Sequence, residues 1–149
     1  MNQDKINWCF EQNKGIKIIL PSSHLSAEYL KEADETLENV ATATGKWKVI
    51  TGYYACYNAL YALLLKCGIK CEIHDCTISL MRLFNFGDKE IEFMESLKED
   101  RIQTQYYLKK KELSDEIAVK KFVIKCKIII NEMSSEEINN IREKLKGLK

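Results

Sequence analysis

The chain has 149 residues, and a domain of that length buries about 68–70% of the surface that its unfolded chain would expose, so it can fold without disulfides or metal ions. Its 23 basic and 22 acidic residues nearly cancel. This excludes a protein that holds nucleic acid through a broad basic field, so any site for RNA or a nucleotide must be local.

Glycine, proline and cysteine content narrow the fold class. One proline, six glycines and 30% charged residues argue against disorder and against a turn-rich β fold, and favour an all-α protein in one domain, residues 1–149. Six cysteines in a chain without a signal peptide or an apolar run that could span a bilayer predict free thiols, a cytoplasmic setting and no membrane association.

The N-terminal third predicts a docking arm and then a long helix. Residues 1–21 combine a short helical pattern with the apolar run IKIIL, which ends at Pro21. Ser22 or Ser23 can cap the next helix, which Gly45 closes. Its apolar residues recur at steps of three and four: Leu25, Tyr29, Leu30, Ala33, Leu37, Val40 and Ala41.

The segment from Trp47 to Cys67 is apolar and aromatic on nearly all sides, which predicts a helix at the centre of the molecule. Its aromatic side chains favour core or dimer-interface positions over a cofactor site: Trp47, Tyr53, Tyr54, Tyr57 and Tyr61. An exit loop follows, and Asp75 or Thr77 can cap a shorter helix that carries Ile78, Leu80, Met81, Leu83 and Phe84.

The C-terminal half predicts three more helices. NFGD forms a turn, Asp88 opens a helix that reaches about Tyr106, and LKKKEL is a basic connector. Ser114 opens the next helix, and Ser134 with Glu137 forms a capping box for a last, mostly polar helix.

The loop CGIKCEIHDC raises the question of a metal site. It contains four side chains of the kind that bind zinc: Cys67, Cys71, His74 and Cys76. Their spacing lacks the paired two-residue separation of a zinc ribbon. The cysteines can equally be small buried residues of the core. We therefore predict no metal and no cofactor. His74 itself is either a structural residue at the next helix start or a site residue that faces Arg101.

Three strings resemble the HEPN domain family, in particular its small archaeal stand-alone members: LSAEYLKEADETLE, WKVITGYYACYNALYALLLKCGIKCEIHDCTISL and EDRIQTQYY. The likeness covers residues 22–133 and leaves the arm, 1–21, and the last helix, 134–149, outside. It implies an up-and-down antiparallel bundle of four to five main helices, with extra terminal helices, that commonly forms a homodimer.

In the nuclease members of this family the signature is an arginine followed, after four to six residues, by a histidine. Arg101 stands at the matching place, but Tyr106 and Tyr107 follow where the histidine is expected. Attack by a 2′-hydroxyl needs a group that exchanges a proton near neutral pH, which imidazole does and phenol does not. His74 is then the remaining candidate proton shuttle. Toxin members are modified on a tyrosine two residues beyond the histidine, and Leu108 occupies that position.

Arg101 is either part of a solvated charged face, with its neighbours Lys98, Glu99 and Asp100, or the anchor of a phosphate. Five residues turn a helix by about 140°, so Arg101 and Tyr106 converge only if the helix ends near Gln105 or a second protomer contributes. Lys109, Lys110 and Lys111 follow, beside tyrosines that can stack a base.

The leading hypothesis is a binding module for a nucleotide or RNA phosphate, with Arg101, Tyr106, Tyr107, Lys109 and Lys110 at its site and a minimal nucleotidyltransferase as a possible partner. The first alternative is a metal-independent endoribonuclease toxin in which Arg101 is catalytic and either His74 or a tyrosine perturbed by Arg101, such as Tyr106, replaces the missing base. The second is a non-catalytic helical scaffold for assembly.

Overall fold

The computed structural model describes residues 2–149, and they form an all-α structure, as the sequence predicts. The described helices are α1 (Gln3–Glu11), α2 (Ser23–Thr42), α3 (Lys46–Lys66), α4 (His74–Ser79), α5 (Asp88–Gln105), α6 (Glu116–Glu132) and α7 (Ser135–Leu148). A 3₁₀ segment, Leu80–Phe84, continues α4, and the two-residue strands β1 (Lys17–Ile18) and β2 (Ile69–Lys70) pair antiparallel. Within residues 2–149, the helices are all too short or too polar to cross a bilayer.

Helix α3 lies at the centre of the bundle and packs against α2, α5 and α6. Its side chains are buried around the whole circumference; Tyr53, Leu60 and Leu64 are fully enclosed. This confirms the prediction from its apolar sequence, because a helix without a polar face must be covered on every side.

Polar caps fix most of the helix starts. The hydroxyl of Ser22 accepts a hydrogen bond from the Leu25 amide, and that of Ser134 accepts one from the Glu137 amide, both at 3.1 Å. Asp115, rather than Ser114, caps α6, because its carboxylate reaches the Ala118 amide at 2.9 Å.

The prediction for the start of α4 was wrong. Ile73 occupies the cap position, and neither Asp75 nor Thr77 caps the helix. The Thr77 hydroxyl instead donates to the backbone carbonyls of Cys71 and Ile73, because the side chain is buried. His74 thus becomes the first residue of α4.

Helix α2 buries a narrower face than its sequence pattern predicts. Ala33 and Val40 are buried, and the Ser26 hydroxyl donates to the Ala62 carbonyl of α3 at 2.8 Å. Leu25 and Tyr29 are exposed. The helix lies on the flank of the bundle, so only the side that faces α3 is covered.

The N-terminal arm docks on the bundle, and Cys9 of α1 is disulfide-bonded to Cys76 of α4. The expectation that all six thiols are free is therefore wrong for this pair. The two cysteines lie 67 residues apart in the chain, and only the packing of α1 against α4 brings them together. Four cysteines remain free and buried: Cys56, Cys67, Cys71 and Cys126.

Candidate functional site

Arg101 lies on the buried face of α5, near its C-terminal end. That face runs through Ile91, Met94, Leu97, Arg101 and Thr104, at the steps of three and four that place side chains on one side of a helix. Only 6% of the Arg101 surface is exposed. The solvated-face interpretation of Arg101 is therefore wrong, because the arginine continues an apolar stripe into the interior.

Three tyrosine rings surround the guanidinium of Arg101. Its Cζ lies 4.8 Å from the centre of the Tyr53 ring, 5.6 Å from Tyr54 and 5.8 Å from Tyr106. Its Nη1 also donates to the Tyr54 hydroxyl at 3.4 Å. Aromatic faces attract a cation most strongly where water is excluded, so these rings hold the guanidinium in place.

The charge of Arg101 has no counter-ion within residues 2–149. No carboxylate there forms an ion pair with it, and its Nε has no hydrogen-bond partner. Burial of an unpaired cation is costly, and aromatic rings replace only part of its hydration. The guanidinium therefore keeps donor capacity for an anion.

His74 reaches the same place from α4. Its Nδ1 lies 2.8 Å from the Tyr53 hydroxyl oxygen, and its ring stacks on Tyr57 with the centres 3.9 Å apart. Burial, together with the positive charges of Arg101 and Lys98, lowers the pKa of His74 to about 4. His74 is therefore neutral near pH 7.

Tyr53 connects the two candidate residues. Its hydroxyl pairs with His74, and its ring lies against the guanidinium of Arg101. Burial raises the pKa of this phenol above its usual value, although the nearby Arg101 charge opposes the rise, so the hydroxyl keeps its proton. The structure thus brings His74 and Arg101 into contact with the same tyrosine.

The remaining predicted residues lie on the segment after α5. The helix ends at Gln105, which lets the Tyr106 ring turn back over Arg101. Tyr107 is exposed. Lys109 and Lys110 are also exposed, and both line a cavity next to Thr104. Arg101, His74 and Tyr106 therefore form one cluster, while the lysines and Tyr107 lie beside it.

The cysteine and histidine loop does not gather a set of metal ligands. Within residues 2–149, no group of three or more His, Cys, Asp or Glu side chains is arranged to hold a metal ion. Cys76 is in the disulfide, and burial raises the pKa of the Cys67 thiol to about 12. A thiol that stays protonated is a poor metal ligand and a poor nucleophile.

Sequence reasoning missed three site residues: Tyr53, Tyr54 and Thr104. The two tyrosines were assigned to the core or an interface, and Tyr53 is indeed buried, yet both also contact Arg101. A signal for the arginine was present, because the stripe Ile91, Met94, Leu97 extends by one turn to position 101. Nothing in the sequence alone indicates that residues of α3 and α4 pack around Arg101.

The cluster can bind an anion, and its capacity to transfer protons is limited. A guanidinium that has no carboxylate partner in residues 2–149 can hold a phosphate, and a neutral imidazole can accept a proton. A comparison of the chain with protein-family models gives no match, and a comparison with curated proteins gives none either.

Proposed function

We propose that the chain is a HEPN-like binding module that holds a phosphate group of a nucleotide or of RNA at Arg101. The observation that carries the proposal is the buried guanidinium, which has no carboxylate partner and an unpaired Nε within residues 2–149. Burial of an unpaired charge lowers the stability of the folded protein, and an anionic ligand offsets this loss when it binds.

The aromatic surroundings support a nucleotide over a simple anion. The Tyr106 ring lies over Arg101 and is exposed, as is Tyr107, the next residue in the chain, and exposed rings stack bases of any sequence. The net charge of the chain is only +1, so attraction must come from this local arrangement rather than from the molecule as a whole.

Binding of a short single-stranded oligoribonucleotide, measured by fluorescence anisotropy, tests the proposal. We expect Arg101→Lys to weaken binding at least tenfold, because an ammonium keeps the charge but loses the planar donor fork. Arg82→Lys is the matched control, since Arg82 is an exposed arginine that pairs with Asp88 at 2.7 Å. Equal affinity of the wild-type protein and Arg101→Lys would refute a phosphate site at Arg101.

A second candidate function is metal-independent RNA cleavage, which the position of His74 favours. His74 and Arg101 both contact Tyr53, so a proton acceptor and a phosphate anchor are close together. In such a reaction a base takes the proton of the 2′-hydroxyl, which attacks the phosphorus, and the 5′-oxygen leaves as it gains a proton. The lowered pKa of His74 makes it a weak base in the unliganded protein.

Cleavage of labelled RNA in EDTA separates the two functions. If the chain is an endoribonuclease, the wild-type protein cleaves, and both Arg101→Ala and His74→Ala lose the activity. If the folded wild-type protein binds RNA and leaves it intact, the binding module stands alone. Expression in cells adds a check, because a toxin arrests growth and Arg101→Ala relieves the arrest.

We further propose that the chain works as a homodimer, with a minimal nucleotidyltransferase as a partner. Support for the dimer comes from α6, where Ile117, Ile124 and Ile128 are exposed on one face. Light scattering tests it: Ile124→Lys with Ile128→Lys should convert a dimer into a folded monomer. A wild-type protein that is monomeric at high concentration removes this part of the proposal.

A further inference from the structure

A cavity of about 450 Å³ lies between the start of α3 and the segment that follows α5. Four lysines and one glutamate line it, so its wall is strongly basic although the whole chain is nearly neutral: Lys46, Lys109, Lys110, Lys111 and Glu112. None of these lysines forms an ion pair with a carboxylate of the described residues, 2–149. Their charges remain available to a ligand.

The start of α3 forms one end of this cavity. Gly45 holds the cap position with a φ of 56°, and no side chain caps the amides of the first turn. That turn contains no acidic residue either. The amides at a helix start carry a partial positive charge, so an uncapped start favours an anion.

Thr104 is an independent sign of a ligand at this place. It lines the cavity, it is only 1% exposed, and its Oγ1 has no hydrogen-bond partner. Helical threonines elsewhere in the chain donate to a backbone carbonyl of the preceding turn, as Thr36 and Thr51 do at 2.8 and 2.7 Å. A buried hydroxyl without a partner loses its hydration without compensation, so Thr104 is unlike a residue kept for packing alone.

Thr104 and Arg101 stand one turn apart on the same face of α5, about 4.5 Å along its axis. Arg101 Nε and Thr104 Oγ1 are the buried side-chain atoms without a partner in residues 2–149. Thr104 lines the cavity, which therefore lies about one helical turn from Arg101.

We propose that this cavity is a second phosphate subsite, which receives the neighbouring phosphate of a single-stranded oligonucleotide whose first phosphate binds Arg101. The amides at the start of α3, Lys46 and the lysines at 109–111 hold this phosphate, and Thr104 donates its hydroxyl to it. Trp47 and Tyr107 are exposed nearby and stack the bases. The ligand class rests on the proposed function, while the subsite itself rests on the cavity and Thr104.

The test compares two dinucleotides that differ by one phosphate: ApA, which has a single internal phosphate, and pApA, which has an additional 5′-phosphate. Binding is followed by the NMR signals of the Lys46 and Trp47 backbone amides, and by the fluorescence of Trp47 in a Trp8→Phe background. We expect pApA to bind at least tenfold more tightly than ApA and to shift the Lys46 and Trp47 amides, which ApA leaves in place. Inorganic phosphate should shift the same amides at higher concentration.

Thr104→Val distinguishes a ligand-binding threonine from a structural one. It removes the unpaired hydroxyl, so we expect the midpoint of thermal unfolding to stay the same or rise. The ratio of the affinity for pApA to the affinity for ApA should fall at least threefold. Thr36→Val is the control, because its hydroxyl is already paired with the Glu32 carbonyl. Lys109→Ala with Lys110→Ala, on the exposed segment, provides a second variant that leaves the core untouched and should also reduce the affinity ratio.

The results separate failure of the subsite from failure of the proposed function. Equal affinity for ApA and pApA, with unmoved Lys46 and Trp47 amides, overturns the subsite and leaves Arg101 binding intact. Amide shifts with inorganic phosphate but none with pApA overturn the assignment to a nucleic acid strand. Absence of binding by either dinucleotide overturns both proposals.

Discussion

At the scale of single residues, Arg101 and His74 determine what the site can do. Arg101 is buried among tyrosines without a carboxylate, and His74 is held neutral beside the same tyrosine. One supplies a positive charge without a counter-ion, and the other supplies a proton acceptor. Because the charge of Arg101 lowers the pKa of His74, an anion that binds Arg101 should change that pKa.

Stability should depend on pH through His74. Its pKa is about 4 in the folded chain and ordinarily near 6.5, so the unfolded chain binds more protons between these values. The stabilisation is complete above pH 6.5 and is lost as the pH falls toward 4. We expect a loss on the order of 1–2 kcal/mol, because partial exposure of the ring screens the effect.

Urea unfolding at several pH values checks this expectation. His74→Gln should flatten the pH dependence between 4 and 6.5, and His24→Gln, at an exposed histidine, is the matched control. Besides burial, the charged groups that lower the pKa of His74 are Arg101 and Lys98. An unchanged pH profile in His74→Gln would contradict the link between burial and the lowered pKa.

A phosphate at Arg101 should raise the pKa of His74. The anion offsets one of the two cations that now lower it, so the charged imidazole becomes less unfavourable. NMR titration of the two histidines with and without a ribonucleotide measures the change, and the other histidine, His24, is an internal reference. A His74 titration that the ligand leaves unchanged would place the phosphate elsewhere.

At the scale of elements, the sequence determines the helices well and the contacts between them poorly. The all-round apolar pattern of α3 and the serine caps of α2 and α7 are local signals, and the structure confirms them. The start of α4 and the Cys9–Cys76 bond were missed, because both depend on how distant segments pack. The buried position of Arg101 was within reach, since its spacing follows the apolar stripe of α5.

The disulfide should stabilise the fold by holding α1 on α4. It closes a loop of 67 residues, and cross-links of this length contribute about 2–4 kcal/mol by restricting the unfolded chain. We expect Cys9→Ser with Cys76→Ser to lose about that much in denaturant unfolding. Reductant should lower the stability of the wild-type protein to the level of the double variant and leave the variant unchanged; an unaffected wild-type protein would show that the bond contributes nothing.

At the scale of the whole molecule, the near balance of charge limits how the chain finds its ligand. With a net charge of +1, long-range attraction is weak, and binding depends on the few cations of the site. Two phosphate contacts with a single strand give a slope of about −1.4 when log affinity is plotted against log salt concentration. A measured slope steeper than about −4 would indicate more phosphate contacts than the two proposed here, and would contradict the proposal.

The central claim is that Arg101 binds a phosphate, and its Nε–H signal tests this most directly. The chain has only three arginines, Arg82, Arg101 and Arg142, so their NMR side-chain signals can be assigned by substitution. On titration with an oligoribonucleotide we predict a large shift of the Arg101 signal, while Arg82 and Arg142 stay in place. Saturating ligand that leaves the Arg101 signal unmoved in the folded protein would contradict the account.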